Sequence, residues 1–327
     1  ILNGKVLFPS NFLAQFYSPW RTEKFPGWEA GIPHKPIGDD QIRIFYPSRT
    51  FSNEMISKKT IQLWNPYIFS GTPHLADFQS AVFYPFNLLY IFLPQITAWS
   101  FLLIIQPLMA TFFTYFFLRF LKLENLAVWL GSIAFGFSGF MLVWSQENVV
   151  VGQAALWLPL VLLGIEGFLT KNNRWYYLIA VFALACSFLA GFFQVTFYIF
   201  TFTFFYSIFR IFSIKSLNKY KSIILVSSIY ILSLSLSAIQ LLPSIEAFDQ
   251  SPRSIASAWY LFELYLLPVT HIFNVIVPDI FGNPAVYNFF GRGFYRETIS
   301  YIGVIPLIFA IYAIFKILFQ NHRADVG

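Results

Sequence analysis

The sequence predicts an all-α polytopic membrane protein, on three observations. Hydrophobic residues make up 57% of the 327 and charged residues only 11%, where a soluble domain carries about a quarter charged. Mean hydropathy is +0.63. Several apolar runs approach or exceed the ~20 residues that cross a bilayer. A surface so poor in ions must face a medium that does not hydrate them.

The spans follow in order. Residues 1–95 are rich in Pro, Gly, Trp and Asn and hold no spanning run. Within them AVFYPFNLLYIFLP (81–94) is apolar but too short to cross, which predicts an interfacial or re-entrant helix. About seven spanning helices are expected, near 98–118, 126–146, 149–169, 175–191, 192–212, 222–243 and 299–319. The fourth is short, and its turn into the fifth falls at Gly191. A second polar region, 244–298, carries amphipathic pieces such as SAWYLFELYLL. The chain thus divides into a loop region (1–95), a six-helix bundle (96–243), a second loop region (244–298) and a last helix with its tail (299–327). The opening ILNGKVLFPSN has no apolar first helix, and the ending NHRADVG follows an apolar run directly. A fragment lacking at least one earlier spanning helix is expected.

Orientation follows from the short loops. RFLKLEN (119–125), KNNR (171–174), RIFSIKSLNKYK (210–221) and the tail from Lys316 to Arg323 carry Lys and Arg, whereas SQEN (145–148) and the Gly191 turn carry none. Seven crossings put all the basic stretches on one side, which the positive-inside rule assigns to the cytoplasm. Both long loop regions are then extracytoplasmic. The net charge of +6 is explained by these loops, and no basic array suggests a nucleic-acid partner. Cys186 lies in an apolar run and reads as a small core residue.

No ATP-binding loop, zinc motif, dinucleotide fingerprint or nucleophile elbow is present. The histidines, His34, His74, His271 and His322, have no ligand spacing. Chemistry, if any, must use an already activated substrate. Three groups of residues are candidates. Asp39 and Asp40 are adjacent carboxylates that can shift each other's pKa, hold a divalent cation or act as a general base; a solvated acidic turn is an equal reading. WNPYIFSGTPHLADFQSAVFYP (64–85) combines aromatic faces such as Trp64 with Asn65, His74, Asp77 and Gln79, which suits a sugar ring, although an aromatic belt at headgroup depth explains the Trp and Tyr as well. The third group sits at helix ends: Gln194 with Tyr198, Gln240 with Glu246 and Arg253, and Arg296 with Glu297. Ionisable groups at such depth are functional candidates by default, with structural ion pairs (Glu246–Arg253, Arg296–Glu297) as the plainer alternative. Glu166, near the cytoplasmic end of its helix, is expected only to meet the interface.

GKVLFPSN, SPW, DDQIRIFYPSR, LWNPYIFSGTPHLADFQSAVFYPFNLLY, GFFQVTFY, IQLLPSIEAFDQSPRS and ETISYIGVIPL, in that order, resemble the YfhO family of bacterial membrane proteins, related to GT-C glycosyltransferases. The resemblance runs through most of the chain. It implies a GT-C-like helical bundle that takes sugar from a polyprenyl-phosphate carrier on the outer face of the cytoplasmic membrane. The acceptor would be an envelope glycan or teichoic-acid-like polymer. An acidic residue in the first outer loop is the base of GT-C enzymes, which carries over to Asp40, with Asp39 second. Family members are usually longer and begin with a helix not found here. Phosphate is the leaving group in such a transfer, so no ATP is needed. Arg43, Arg49, Arg253 and Arg296 are the guanidiniums that could bind it through paired hydrogen bonds. The alternatives are a transporter or flippase for a lipid-linked glycan, for which the Gln106–Pro107 kink speaks, and a noncatalytic assembly factor.

The orientation is open to test. Cysteines introduced at Ser52 and Ser257 should react with an impermeant reagent in intact cells; reaction only after permeabilisation would reverse the assignment.

Overall fold

The computed structural model describes residues 6–10, 18–19, 22, 40–251, 266–286 and 288–324. It is a helical membrane bundle with one two-residue hairpin, in which β1 (Trp64–Asn65) pairs antiparallel with β2 (Thr72–Pro73). A π-helical turn, Gln41–Phe45, leads into α1 (Tyr46–Ser57), and α2 is the single turn Leu89–Phe92. The bundle comprises α3 (Gln95–Phe120), α4 (Asn125–Gly136), α5 (Gly139–Glu147), α6 (Val149–Ala155), α7 (Leu158–Lys171), α8 (Arg174–Leu189), α9 (Phe193–Ser213) and α10 (Lys219–Asp249). The short α11 (Tyr295–Thr298) precedes α12 (Val304–Ala324).

Five helical segments among the described residues are long and apolar enough to cross a membrane: α3, α4 with α5, α6 with α7, α9, and α10. The other two expected spans are shorter apolar helices, Arg174–Leu189 and Val304–Lys316. Two of the five are interrupted. Between α4 and α5 the chain leaves the helix at Phe137–Ser138, and Ser138 Oγ restarts it by accepting the Met141 N–H at 3.3 Å. Between α6 and α7 it is broken by a turn at Leu156–Trp157, ahead of Pro159 in the first turn of α7. α10 continues past Pro243, the expected end, to Asp249. The proline removes one N–H from the ladder, yet Ser244 Oγ bonds the Gln240 carbonyl at 2.8 Å in the same turn.

α6 with α7 is the central element. Its apolar window is 89% buried, against 28–33% in the other four. Small residues permit that enclosure. A Cβ on Gly164 would lie 2.6 Å from the Ala180 backbone nitrogen, and one on Gly167 would lie 2.3 Å from the Tyr176 ring, so α7 and α8 touch nearly backbone to backbone. Ser and Thr hydroxyls inside the spans bond carbonyls one turn back (Thr114 to Ala110, Ser132 to Val128, Thr203 to Ile199, Ser237 to Ser233). Others cross between helices: Ser233 to the Val181 carbonyl and Ser187 to the Ala154 carbonyl, each at 3.1 Å. Without water in the bilayer core, each must be satisfied this way. α9 turns its phenylalanines, Phe197, Phe205, Phe209 and Phe212 among them, outward.

Glu166 departs from expectation. It is 2% exposed, and Arg210 of α9 grips both its oxygens, Nε at 2.7 Å and Nη2 in a second, shorter bond. Tyr206 OH donates to the same carboxylate at 2.9 Å. A partner 44 residues away in the chain cannot be seen in local spacing. The residue is a buried, bidentate ion pair and not an interfacial charge.

The first loop region folds onto one end of this bundle. Phe45, 1% exposed, enters a cluster with Trp99, Leu102 and Val150. Gln41 Nε2 donates to the Ser145 carbonyl at 2.9 Å, Gln95 Nε2 to the Tyr46 carbonyl at 2.9 Å, and Gln240 Nε2 to the Leu75 carbonyl. Gly191, at φ +97°, turns directly beneath residues 78–81, where a Cβ would meet the Phe78 oxygen at 3.0 Å. The 145–148 turn, the Gly191 turn and the Gln240 end of α10 thus share the end of the bundle that the loop covers. Within the loop, Ser52 Oγ is bonded to His74 Nε2 at 2.9 Å and both residues are buried. Ser52 is therefore a poor labelling site, and exposed Thr60 replaces it in the topology test; Ser257 lies outside the described residues.

Two outcomes follow from this packing. Gly164→Ala pushes a methyl into Ala180 backbone, which cannot rotate away, so the variant should lose about 1–3 kcal/mol, read as a lower melting temperature in detergent; an unchanged melt would contradict the close α7–α8 contact. Burial, helped by the Arg49 charge, lowers the His74 pKa from 6.5 to about 4. The unfolded chain then protonates first on acidification. The stability due to neutral His74 is complete above pH 6.5 and is lost as pH falls toward about 4, on the order of 3 kcal/mol in all. His74→Gln should flatten the melting-temperature profile across that window, and a profile as steep as the parent's would show that other groups set it.

Candidate functional site

A cavity of about 300 Å³ opens in the bundle, walled by Phe135 of α4, Phe140 and Trp144 of α5, Val151 of α6, Leu158 of α7 and Val195 and Phe202 of α9. Its polar groups are Gln194, Tyr198 and Glu297. Gln194 and Tyr198 occupy the first turns of α9, where Gln194 Nε2 donates to Tyr198 OH at 2.8 Å. Phe202 is one turn further in. At 1.5 Å per residue the cavity runs about 12 Å along α9, from a polar end into the apolar bundle.

Glu297 and Arg296 reach this place through the second loop region. Asn274 Nδ2 donates to the Thr298 carbonyl and hydroxyl at 3.3 and 3.2 Å, and His271 stacks on Phe281 at 4.5 Å beneath it. Tyr295 OH donates to Asp279 Oδ1 at 2.6 Å. The Gly139 N–H donates to the Tyr301 carbonyl at 2.7 Å, with Ile299 packed against Gly139. α11 is thereby laid along α5. Arg296 Nη1 comes 4.0 Å from Glu147 Oε2, and its Nε comes 3.9 Å from Glu297 Oε1. The guanidinium also sits 5.7 Å from the Trp144 ring and 5.0 Å from the Phe294 ring. The Arg296–Glu297 pair read from the sequence exists, but at long range and shared with Glu147. Burial raises the Glu297 pKa, and Arg296 opposes the rise. Its carboxyl is consequently a better proton acceptor near neutrality than an ordinary glutamate.

Asp40 joins this end through its neighbour. It is half-buried at the start of the π-helical turn, and Gln41, fully buried, is fixed to the Ser145 carbonyl of the turn that also carries Glu147. That bond sets the π-helical turn which Asp40 opens against the turn carrying Glu147, and π-helical turns recur at functional positions. Arg43 is exposed on the same turn. Asp39 and Arg253 lie outside the described residues. Among the described residues no group of three His, Cys, Asp or Glu side chains is placed to hold a metal ion.

The remaining candidates gather elsewhere. Arg49, 3% exposed, bonds the Ser80 carbonyl through Nη1 and borders a second cavity. Asp77 Oδ1 caps the Gln79 N–H at 3.1 Å, Asn65 Oδ1 accepts the Tyr67 N–H at 3.0 Å, and Gln240 is buried against the loop backbone. These contacts fold the loop. Trp64 is 55% exposed, and Glu246 is exposed near the end of α10; neither lines either of these two cavities. Sequence reasoning passed over Glu147, Trp144 and Gln41. The one available signal was the acidic residue in the SQEN turn.

Residues 81–324 match the family model described as Bacterial membrane protein YfhO. No curated protein and no solved structure matches the chain. The matched span takes in the bundle, its 300 Å³ cavity and the Arg296–Glu297 segment, and begins after the region that holds Asp40 and Arg49. Covering three quarters of the sequence and every candidate span among the described residues, the match establishes that the chain belongs to the YfhO family of bacterial membrane proteins.

Proposed function

We propose that this multi-pass protein is a GT-C-type glycosyltransferase. It moves a sugar from a polyprenyl-phosphate carrier to an envelope glycan or teichoic-acid-like acceptor on the outer face of the bacterial cytoplasmic membrane. The observation that carries the reading is the first cavity, an apolar channel ending in Gln194, Tyr198 and Glu297 with Arg296 alongside. A carrier has the same division: a tail that stays in hydrocarbon, and a phosphate and sugar that need donors and a cation. Arg296, whose buried Nε has no hydrogen-bond partner, would take the leaving phosphate and stabilise its growing charge. Gln194 and Tyr198 would take sugar hydroxyls. Asp40 would remove the acceptor proton, with Glu297, its pKa raised, as the other carboxylate in reach of the same end.

A specific observation favours the second reading, a transporter or flippase for a lipid-linked glycan. Transporters place polar groups at the midplane on discontinuous helices. Here α4–α5 and α6–α7 are interrupted, and the Gln106 amide and Gln153 Oε1 are buried without hydrogen-bond partners. A noncatalytic assembly factor would use the cavity for lipid binding alone.

The full chain in liposomes with a labelled polyprenyl-phosphate sugar and a glycan acceptor separates these readings. Wild type should transfer label to the acceptor. Asp40→Asn, nearly isosteric but unable to accept a proton at neutral pH, should lower transfer about 100- to 10,000-fold with donor retention unchanged. Near-normal turnover would remove Asp40 from the reaction, and loss with Glu297→Gln instead would assign the base there. Movement of the labelled lipid between leaflets without transfer favours the transporter.

A further inference from the structure

The second cavity, about 280 Å³, lies between α1 and the segment 82–91 and shares no lining residue with the first. Arg49, Ser52, Asn53, Tyr84, Asn87 and Tyr90 supply its polar groups, and Ile56, Phe83, Leu88 and Ile91 its apolar wall; no carboxylate borders it. Arg49 is 3% exposed, and its Nη2 is buried with no hydrogen-bond partner. Ser80 takes Nη1 through a neutral carbonyl. Asp77 reaches the guanidinium only as a charge at a distance, and its Oδ1 is engaged by Gln79. His74, bonded to Ser52, is neutral at physiological pH and leaves Arg49 as the one charge on this lining.

A buried cation without a directly paired carboxylate is costly, and one placed on a cavity free of acids has an anion as its natural complement. Arginine's planar fork suits phosphate oxygens. Asn53, whose side chain makes no hydrogen bond among the described residues, borders the same space. The apolar wall continues outward: Leu88 is 56% exposed, Ile91 47% and Phe92 78%. These residues stand immediately before Gln95, the start of the first apolar span among the described residues, and headgroups meet acyl chains at the ends of spans.

We infer that the Arg49 cavity binds the phosphate head of an anionic lipid, with the lipid's hydrocarbon running over Leu88, Ile91 and Phe92. The site is additional to the proposed donor channel. It is measured without any sugar transfer, so it stands or falls independently of the transferase reading. The absence of a carboxylate on the lining disfavours zwitterionic headgroups, whose ammonium would find no partner.

The full chain, purified in a neutral detergent, can be examined by native mass spectrometry and thermal melting with four probes: phosphatidylglycerol, undecaprenyl phosphate, phosphatidylcholine and millimolar inorganic phosphate. Either or both anionic lipids should be retained and raise the melting temperature, and which of them does so identifies the source of the phosphate. Phosphatidylcholine should bind at least about 10-fold more weakly, the scale of one charge-assisted contact. Inorganic phosphate should have little effect, because it has no tail. Arg49→Gln should lower anionic-lipid retention by about 10-fold or more. Because that variant also frees the Ser80 carbonyl and could unfold the loop, Asn53→Leu is the second arm: it narrows the cavity without breaking a bond, and should weaken retention while the lipid-free melt stays unchanged. Equal retention of phosphatidylcholine, full stabilisation by inorganic phosphate alone, or wild-type retention in a folded Arg49→Gln or in Asn53→Leu would overturn the inference.

Discussion

The enclosure of one helical segment, Val149–Lys171, is the constraint on which the rest of the molecule depends. In lipid there is no hydrophobic force between helices, so close association rests on packing and on hydrogen bonds. A segment that is 89% buried must offer surfaces that neighbours can approach. Gly152, Gly164 and Gly167 do so toward α3 and α8, and at each the added carbon of an alanine would collide with a neighbour. Once this segment is fixed, α3, α8 and α9 have defined positions around it. The channel at its flank is then what these helices leave open between Val151, Ala155 and Leu158 on one side and the start of α9 on the other.

The polar ends of the bundle follow from the same packing. Helix ends carry unpaired carbonyls, and amide side chains join loop and bundle in both directions: Gln41 of the loop donates to the Ser145 carbonyl near the end of α5, while Gln95 of α3 and Gln240 of α10 donate to the loop carbonyls of Tyr46 and Leu75. Amides can donate without bringing a charge to the membrane surface. Charges are kept for the places where two segments from distant parts of the chain converge. Glu147, Arg296 and Glu297 meet because α11 is tied to α5 by the Gly139–Tyr301 hydrogen bond and by Ile299.

Hydropathy made the spans legible because a lipid-facing helix writes its length into composition. The run near 98–118 is α3 at Gln95–Phe120, and the run near 192–212 is α9 at Phe193–Ser213. The interruption between α4 and α5 was not legible. Phe137–Ser138 sits in an apolar stretch with no proline, and the restart depends on one serine cap. Pro243 misled in the other direction, since a proline near a helix end need cost only one hydrogen bond. In the site, Gln194, Tyr198, Arg296 and Glu297 could be picked out as polar residues at helix ends. Their sharing of one cavity could not be read, because Glu297 stands about a hundred residues from Tyr198 and meets the bundle only through the fold of the second loop. Glu166 was misread for the same reason, its partner Arg210 being two helices further along the chain.

The distribution of charge within the spans weighs on how the cavity can act. The buried Glu166 is neutralised by Arg210 and Tyr206, which leaves no net charge on that contact. The polar groups deeper in the bundle, Gln106 beside Gly152 and Gln153 beside the Tyr84 hydroxyl, are neutral amides. An unpaired amide in an apolar medium costs a few kcal/mol, far less than an unpaired ion. Such groups can loosen the packing of α3 against α6 without creating an ion path. Ionisable groups instead stand at the end of α5 and on α11, beside the polar mouth of the cavity where α9 begins. On the proposed reading, a lipid tail would lie along the apolar cavity while proton transfer and phosphate binding stay at the end where these ionisable groups stand, the division of labour that sugar transfer from a lipid carrier requires.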